Sequence, residues 1–404
     1  MTSAAVLRYA RFACLAAVCA MAIPAAAPDF DSRDFHQRRQ ALRKLVHGVI
    51  VLEGKEESLD DIQSARGRFF QEPDFFYLTG WNEPGAKLLL DSHREILFLP
   101  PHDAEREKWT GPRHAASDAG IQELTGFERV LSLKRFEQEL GGANPADSAA
   151  VHRALTGLRM KKSPAEIAAL QRSADATIAA HLAAWKQAAP GRYEYQVAAA
   201  MAGVYLDLGC EGGAYAPMVA SGPNGVFLHY EANNRRMEAG DLLLTDVGAE
   251  CAGYAADVTR TIPVDGHFTS RQRELYDTVL GAQRAAIAAV KPGVTIGGDT
   301  PNSLQNVALA YFNSHSHDLH GRPLGKYFTH GISHHIGLEV HDPADLTLPL
   351  EAGNVISVEP GLYIPEEGIG IRIEDMVLVT RDGARVLTAA LPKEAAEIER
   401  LMLR

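Results

Sequence analysis

The sequence predicts an α+β chain: a larger C-terminal unit of two similar halves, preceded by a smaller α/β domain. Three observations predict it. A helix–helix–strand–strand plan that opens near residue 161 recurs near residue 269, a spacing of roughly a hundred residues that points to duplication. Each pair of strands carries two acids in otherwise apolar runs, Asp246 and Asp257 in the first half, Glu359 and Glu374 in the second. Before residue 150, short apolar strands follow a basic amphipathic helix and are separated by turn signals.

The first residues are of a different kind. Arg8 and Arg11 precede an apolar run over residues 12–23, and Ala25, Ala26 and Ala27 follow. That order predicts a secretory signal peptide over residues 1–27. The run is too short for a membrane-spanning helix, which needs roughly 20 apolar residues. Export to a periplasm or the medium is therefore expected, with no membrane span left after signal removal; without a working signal the protein stays cytoplasmic. Cys14 and Cys19 leave with the signal, which retains Cys210 and Cys251. An exported chain permits a disulfide. A domain of this size does not require one, so free buried thiols are expected.

The N-terminal domain is expected over residues 28–150. Residues 34–45 read as a helix ended near Gly48, and residues 49–52 as a strand. An aromatic segment follows, Asp74-Phe-Phe-Tyr-Leu-Thr-Gly-Trp-Asn-Glu-Pro. Strands at 87–90 and 95–99 flank an Asp91-Ser92 turn, and Pro100-Pro101 stops the second. Residues 141–148, rich in Gly, Ala, Asn, Pro and Asp, read as a linker.

The larger unit, residues 151–404, opens on a capping box, with Ser163 as N-cap, Pro164 at the first helical position and Glu166 reaching back. Ile167, Leu170, Ala174, Ile178, Leu182 and Trp185 keep helical spacing, and a second helix is expected over 194–208. Thr269 and Gln272 repeat the capping box, Leu275, Val279, Ala286 and Val290 line a face, and another helix is expected over 301–312. The acids then fall on strands at 242–247, 255–262, 355–359 and 371–379.

Composition narrows the function. The chain has 404 residues, 46% hydrophobic and 23% charged, with a net charge of -11, so neither nucleic acid nor an anionic membrane is expected as a partner. Four acids and His334 in strand-like or glycine-flanked surroundings cannot all stay buried without positive charge, because a lone buried carboxylate costs several kcal/mol or protonates. Two divalent ions would supply that charge. If Asp246 and Asp257 lie on the arms of one hairpin turning near Cys251-Ala252, they fall opposite each other, with Cβ atoms about 5 Å apart. The segment His330-Gly-Ile-Ser-His-His-Ile-Gly-Leu-Glu-Val-His341-Asp342 contains H-x-x-x-H, but Gly331 and Gly337 argue against a helix and the glutamate of the zinc-protease motif is missing. One imidazole here can ligate a metal while others bind substrate or move protons. Carboxylates favour Mg or Mn, and the imidazole tips the choice towards Mn, Co or Zn. Paired ions would turn a bridging water into hydroxide, which is hydrolytic machinery.

At these residues the chain resembles the pita-bread-fold metallopeptidases, a family that includes methionine aminopeptidase, prolidase, creatinase and Xaa-Pro aminopeptidase. The matching pieces are Thr245-Asp-Val-Gly-Ala-Glu, Tyr254-Ala-Ala-Asp-Val-Thr-Arg-Thr, His330-Gly-Ile-Ser-His, Val340-His-Asp, Ser357-Val-Glu-Pro-Gly and Gly370-Ile-Arg-Ile-Glu-Asp. The aromatic segment and Phe35-His-Gln-Arg-Arg-Gln-Ala-Leu are similar to the leading domain of the aminopeptidase P branch. The resemblance implies a pita-bread unit holding two ions, manganese most often. It implies that Asp246 ligates one metal, Asp257 and Glu374 bridge, and His334 and Glu359 hold the other. Glu359 also stands where the family places a proton acceptor. His229 and His341 match histidines beside the substrate, Arg372 would orient Glu374 or substrate, and His330 would support the ligands. The implied activity is release of the N-terminal residue from peptides with proline second, by a homo-oligomer, dimer or tetramer. The nearest alternative is a prolidase-type dipeptidase. A non-catalytic binding module on this fold would have lost ligands that are all retained here. The stretch 131–160 and the loop 361–368 look shorter than in relatives, which leaves peptide length and oligomeric state open.

Overall fold

The computed structural model describes residues 30–57 and 69–402; the expected signal peptide lies outside them. The first helix, Ser32–Leu45, starts at Asp31, whose side chain and that of Asp34 form a capping box. Its face of Phe35, Arg38, Arg39 and Leu42 is buried. Strand Ile50–Glu53 pairs antiparallel with Lys87–Leu90, which pairs antiparallel with Glu95–Leu99, and Arg129–Ser132 adds a parallel edge. The aromatic segment is helical over Pro73–Thr79, an element the aromatic composition did not predict. Pro73 occupies its first turn, the Glu72 carboxylate accepts from the Phe75 N–H at 2.6 Å, and Gly80 closes it at φ 65°. Phe75 and Leu78 enter the core with Leu42, Leu88, Leu97 and Phe127.

Residues 141–147 are tied to the sheet rather than free, since the Ala146 N–H donates to the Val49 carbonyl at 2.7 Å. The expected domain boundary at 150 falls inside a helix, Ser148–Met160. Val151 and Leu155 pack into the N-terminal core, and Arg159 at its far end meets the second unit.

The larger unit shows the two expected halves. Helices Pro164–Gln187 and Glu194–Asp207 serve the first, Ser270–Ala289 and Leu304–His315 the second. Both expected capping boxes form, Ser163 with Glu166 and Thr269 with Gln272. In the first half, Leu242–Val247 lies between Met218–Ser221 and Val258–Pro263; in the second, Asp375–Val379 lies between Val355–Val358 and Ala384–Val386. One continuous apolar core runs beneath both. Among the described residues no helix is long and apolar enough to cross a membrane.

Two strands expected to be continuous are broken, and the breaks carry acids. Residues 255–262 divide into Tyr254–Ala255 and Val258–Pro263 around Asp257, and residues 371–379 divide into Ile369–Arg372 and Asp375–Val379 around Glu374. At the second break the Glu374 N–H donates to the Thr259 carbonyl of the other half at 3.0 Å, in place of a partner within its own sheet. The hairpin turns at Ala252 and Gly253, both at positive φ, but its register differs from expectation. Asp246 stands opposite Thr259, so Asp257 is its diagonal neighbour rather than directly across.

The cysteines also differ from expectation, because Cys210 and Cys251 form a disulfide rather than free thiols. After helix Glu194–Asp207 the chain returns as Gly212–Gly213, which pairs with Ala249–Cys251 and brings the two side chains together.

Candidate metal centre

Each expected ligand reaches one cleft between the halves. Asp246 comes from strand Leu242–Val247, Asp257 and Glu374 from the two strand breaks, Glu359 from the residue after Val355–Val358, and His334 from an irregular loop. Ligand atoms of Asp246, Asp257 and Glu374 lie within 4.8 Å of one another, and so do those of His334, Glu359 and Glu374. Two triads therefore share Glu374. A third set, Asp257, His334 and His341, overlaps both.

The surroundings fix each side chain. The His334 N–H donates to Ser357 Oγ at 3.0 Å, and that hydroxyl donates to Glu359 Oε1 at 3.0 Å. His334 Nε2 stands 3.3 Å from Asp257 Oδ2 and 3.4 Å from Glu359 Oε1. Thr259 Oγ1 donates to Glu374 Oε2 at 2.8 Å while accepting from Arg372 Nε at 3.1 Å. Arg372 is expected to orient Glu374 or the substrate. Because the strand ends at Arg372, its guanidinium turns instead to Asp246 Oδ2, and meets Glu374 only through Thr259. Asp375, next to Glu374, faces the other way into a buried pair with Arg260 at 2.7 Å.

Two tyrosines complete the site, and no spacing in the sequence marked them. The Tyr215 hydroxyl lies 2.5 Å from both Asp246 Oδ1 and Asp257 Oδ1, and its single proton serves one of them at a time. Tyr363 Oη accepts from Arg372 Nη1 at 2.7 Å and meets His330 Nε2 at 2.9 Å. Gly361 leaves room for Tyr363, since a Cβ there would sit 2.5 Å from the Tyr363 hydroxyl.

The electrostatics are those of a site short of cations. Burial pushes Glu374 well above the usual carboxylate range, with the charges of Asp257, Glu359 and Asp246 adding to it. Burial likewise raises Glu359 to about 7, against the pull of His334. Asp246 is raised by burial despite Arg372 beside it. Asp257 falls below its usual value, since hydrogen bonds from His334 and Tyr215 outweigh burial. His334 rises to about 9: burial opposes its proton, but Asp257 and Glu359 hold it. Glu374 Oε1 is buried with no hydrogen-bond partner. An orphaned carboxylate oxygen amid four acids is what a divalent cation would satisfy, so these residues fit metal ions.

The cleft has a volume of 460 Å³ and is walled by Met218, Leu228 and Val340 as well as the acids. His229 and His341 stand at its exposed rim, and the His341 ring lies 4.0 Å from that of His334. Burial and the neighbouring His334 charge lower the proton affinity of His341. His330 is lowered to about 4 by burial and by Arg372.

This arrangement has relatives. Residues 168–381 match metallopeptidase family M24, and residues 35–152 match the aminopeptidase P N-terminal domain. The chain belongs to family M24. It is 35% identical over 380 residues to a Xaa-Pro aminopeptidase of Haemophilus influenzae, covering 83% of this chain and 88% of that one. It is 34% identical over 436 residues to the Xaa-Pro aminopeptidase of Escherichia coli, covering 93% and 98%. In structure it is similar to E. coli aminopeptidase P with the inhibitor Pro-Leu, at a TM-score of 0.81 and 31% identity over 93% of this chain and 99% of that one. The protein is thus a metallopeptidase of pita-bread fold with an aminopeptidase P-type leading domain. The family membership gives the cluster its chemistry: divalent-metal hydrolysis at the N-terminal end of peptides.

Proposed function

We propose that this chain is a dinuclear aminopeptidase that releases the N-terminal residue from peptides with proline in second position. The two acid-rich triads sharing Glu374 carry this reading. Asp246 would ligate one ion, His334 and Glu359 the other, with Asp257 and Glu374 common to both. Carboxylate dominance with one imidazole favours manganese, with cobalt and zinc as substitutes. When bound, such an ion pair acidifies water and polarises a carbonyl.

The chain's own residues do the rest. Glu359, which stands in the ligand cluster beside the place of the attacking water, can take its proton and give it to the leaving nitrogen. Burial lowers the proton affinity of His341, so its neutral ring can accept or donate a hydrogen bond at the scissile amide. His229 lines the same cleft and is a second candidate substrate contact. Arg372, braced by Tyr363 and Thr259, holds Asp246, and Tyr215 spans Asp246 and Asp257. An Xaa-Pro amide is tertiary and lacks an N–H, so a site lined by Leu228 and Val340 that requires no amide donor suits it. Pro-Leu, the inhibitor held by the E. coli relative, has the form of the product left after an Xaa-Pro-Leu peptide is cut. That favours peptides longer than a dipeptide.

Two further readings accompany this one. The disulfide suits an oxidising compartment and supports export to a periplasm or the medium. A homo-oligomer is the second reading, carried over from the family resemblance. Cell fractionation with N-terminal sequencing tests the first, and light scattering the second. The activity is tested on Xaa-Pro and Xaa-Pro-Yaa peptides after chelation, with Mn, Co or Zn restored singly. Tripeptide cleavage with Mn is expected; turnover confined to dipeptides would make it a prolidase. Absence of both activity and stoichiometric metal would leave a binding module.

A further inference from the structure

The loop that carries His341 has no regular secondary structure, yet it is organised around one carboxylate. Asp342 Oδ1 accepts from the Glu339 N–H at 3.2 Å and from Arg159 Nη2 at 2.7 Å, and Oδ2 accepts from Lys162 Nζ at 2.8 Å. The Asp342 N–H returns to the His335 carbonyl at 2.9 Å. Arg159, Lys162 and Asp342 expose only 3%, 1% and 1% of their side chains, so these contacts have little competition from water. Gly337 makes room for them, since a Cβ there would meet Asp342 Oδ2 at 2.4 Å.

Arg159 does not belong to the His341 loop. It ends helix Ser148–Met160, whose first turns pack into the N-terminal core. Its other amino group, Nη1, donates to Asp74 Oδ1 at 2.8 Å, and Asp74 also meets His152 Nδ1 at 3.1 Å. Nη2 reaches Glu339 Oε2 at 2.8 Å as well. One planar guanidinium therefore spans a carboxylate of the N-terminal domain and the carboxylate next to His341. Its fork geometry fixes both ends at once, which a lysine cannot do. Asp74 opens the aromatic segment, so the clamp gives that segment a task at a cleft it does not itself line.

We propose that Arg159 is a positioning residue: anchored by Asp74 of the N-terminal domain, it sets the place of His341 at the cleft through Asp342. The consequence is that the N-terminal domain acts on the reaction through the loop that carries His341. The inference rests on the aminopeptidase reading, in which His341 meets the scissile amide.

The test combines kinetics with hydrogen exchange on the full chain. Arg159→Gln is expected to lower kcat/KM on an Xaa-Pro-Yaa peptide about tenfold, mostly in kcat, with Arg159→Lys recovering part of it. Asp74→Asn leaves the Asp342 contact and is expected to cost about threefold. In a His341→Ala background both losses should vanish, because residues acting as one unit do not add. Losses that multiply with His341→Ala would overturn the proposal. Independently of activity, amides of residues 335–342 should exchange faster in Arg159→Gln than in the parent, both metal-free. Unchanged exchange there would overturn it too, whereas an inactive parent with faster exchange in the variant would sink only the aminopeptidase reading. Should Arg159→Gln not fold, Asp74→Asn carries both measurements.

Discussion

Replacing Cys210 and Cys251 together by alanine tests how the first half of the catalytic unit is held. The bridge spans 41 residues of sequence and closes a loop that contains Asp246, the rim histidine His229 and the strand Met218–Ser221. For a loop of that length, restriction of the unfolded chain is about 13 cal/mol/K, or about 4 kcal/mol at 25 °C. Both cysteines are buried, at 1% and 0% exposure, so removing the sulfurs adds a smaller packing loss in the same direction. With an m-value of about 3 kcal/mol/M, the urea midpoint should fall by about 1 M, a shift readable by tryptophan fluorescence. Reduction of the parent should reproduce the shift, and non-reducing peptide mapping should recover residues 210 and 251 in one linked pair. Midpoints that agree within experimental scatter, or free thiols at both positions, would refute the loop-closure account.

Three other outcomes are expected. His181 is fully buried beside the Val258 carbonyl, and burial with the Arg260 charge lowers its pKa to about 3. Its folded pKa lies below the unfolded value of about 6.5, so its contribution is complete above that pH and is lost as pH falls towards 3. Between pH 7 and pH 5 that loss is about 2 kcal/mol, and His181→Gln should flatten the pH slope of the urea midpoint accordingly; equal slopes would count against it. Gly370→Ala would drive a Cβ to 1.7 Å from the Gly225 carbonyl oxygen, where backbone of the His229 loop meets the second half, and should destabilise by about 3 kcal/mol on thermal melts. Glu374→Gln should leave the melting temperature of the chelated protein unchanged or higher, because that carboxyl already favours its neutral form. The same variant should abolish stabilisation by added Mn, about 3 kcal/mol for the parent at a hundred times its dissociation constant.

Much of the fold is legible locally. Both capping boxes of the larger unit form, and the strands at 87–90, 95–99 and 242–247 appear at their expected bounds. Their signals lie within a few residues: a capping hydroxyl, a turn, an alternation. The helix at Pro73–Thr79 was missed because four aromatic or apolar residues in a row, Phe75 to Leu78, read equally well as a buried strand, although Glu72, Pro73 and Gly80 carry the start and stop signals of a short helix. The strand breaks at Asp257 and Glu374 were missed for a related reason. Strand-compatible residues continue on both sides of each break, and at Glu374 the backbone N–H turns to the Thr259 carbonyl of the other half.

The sequence by itself determined the five acid and imidazole side chains, because burying that much like charge makes sense only around cations, and the repeat told which acids correspond. Tertiary structure alone decided who holds them. Tyr215 reaches Asp246 across 31 residues, Arg372 reaches Asp246 across 126, and Arg159 reaches Asp342 across 183. The Cys210–Cys251 bond likewise waited on the pairing of Gly212–Gly213 with Ala249–Cys251. Periodicity and capping are encoded within a turn or two of the chain. A hydrogen bond between distant segments leaves no such local trace, since either partner alone is an ordinary polar residue until the fold brings them within about 3 Å.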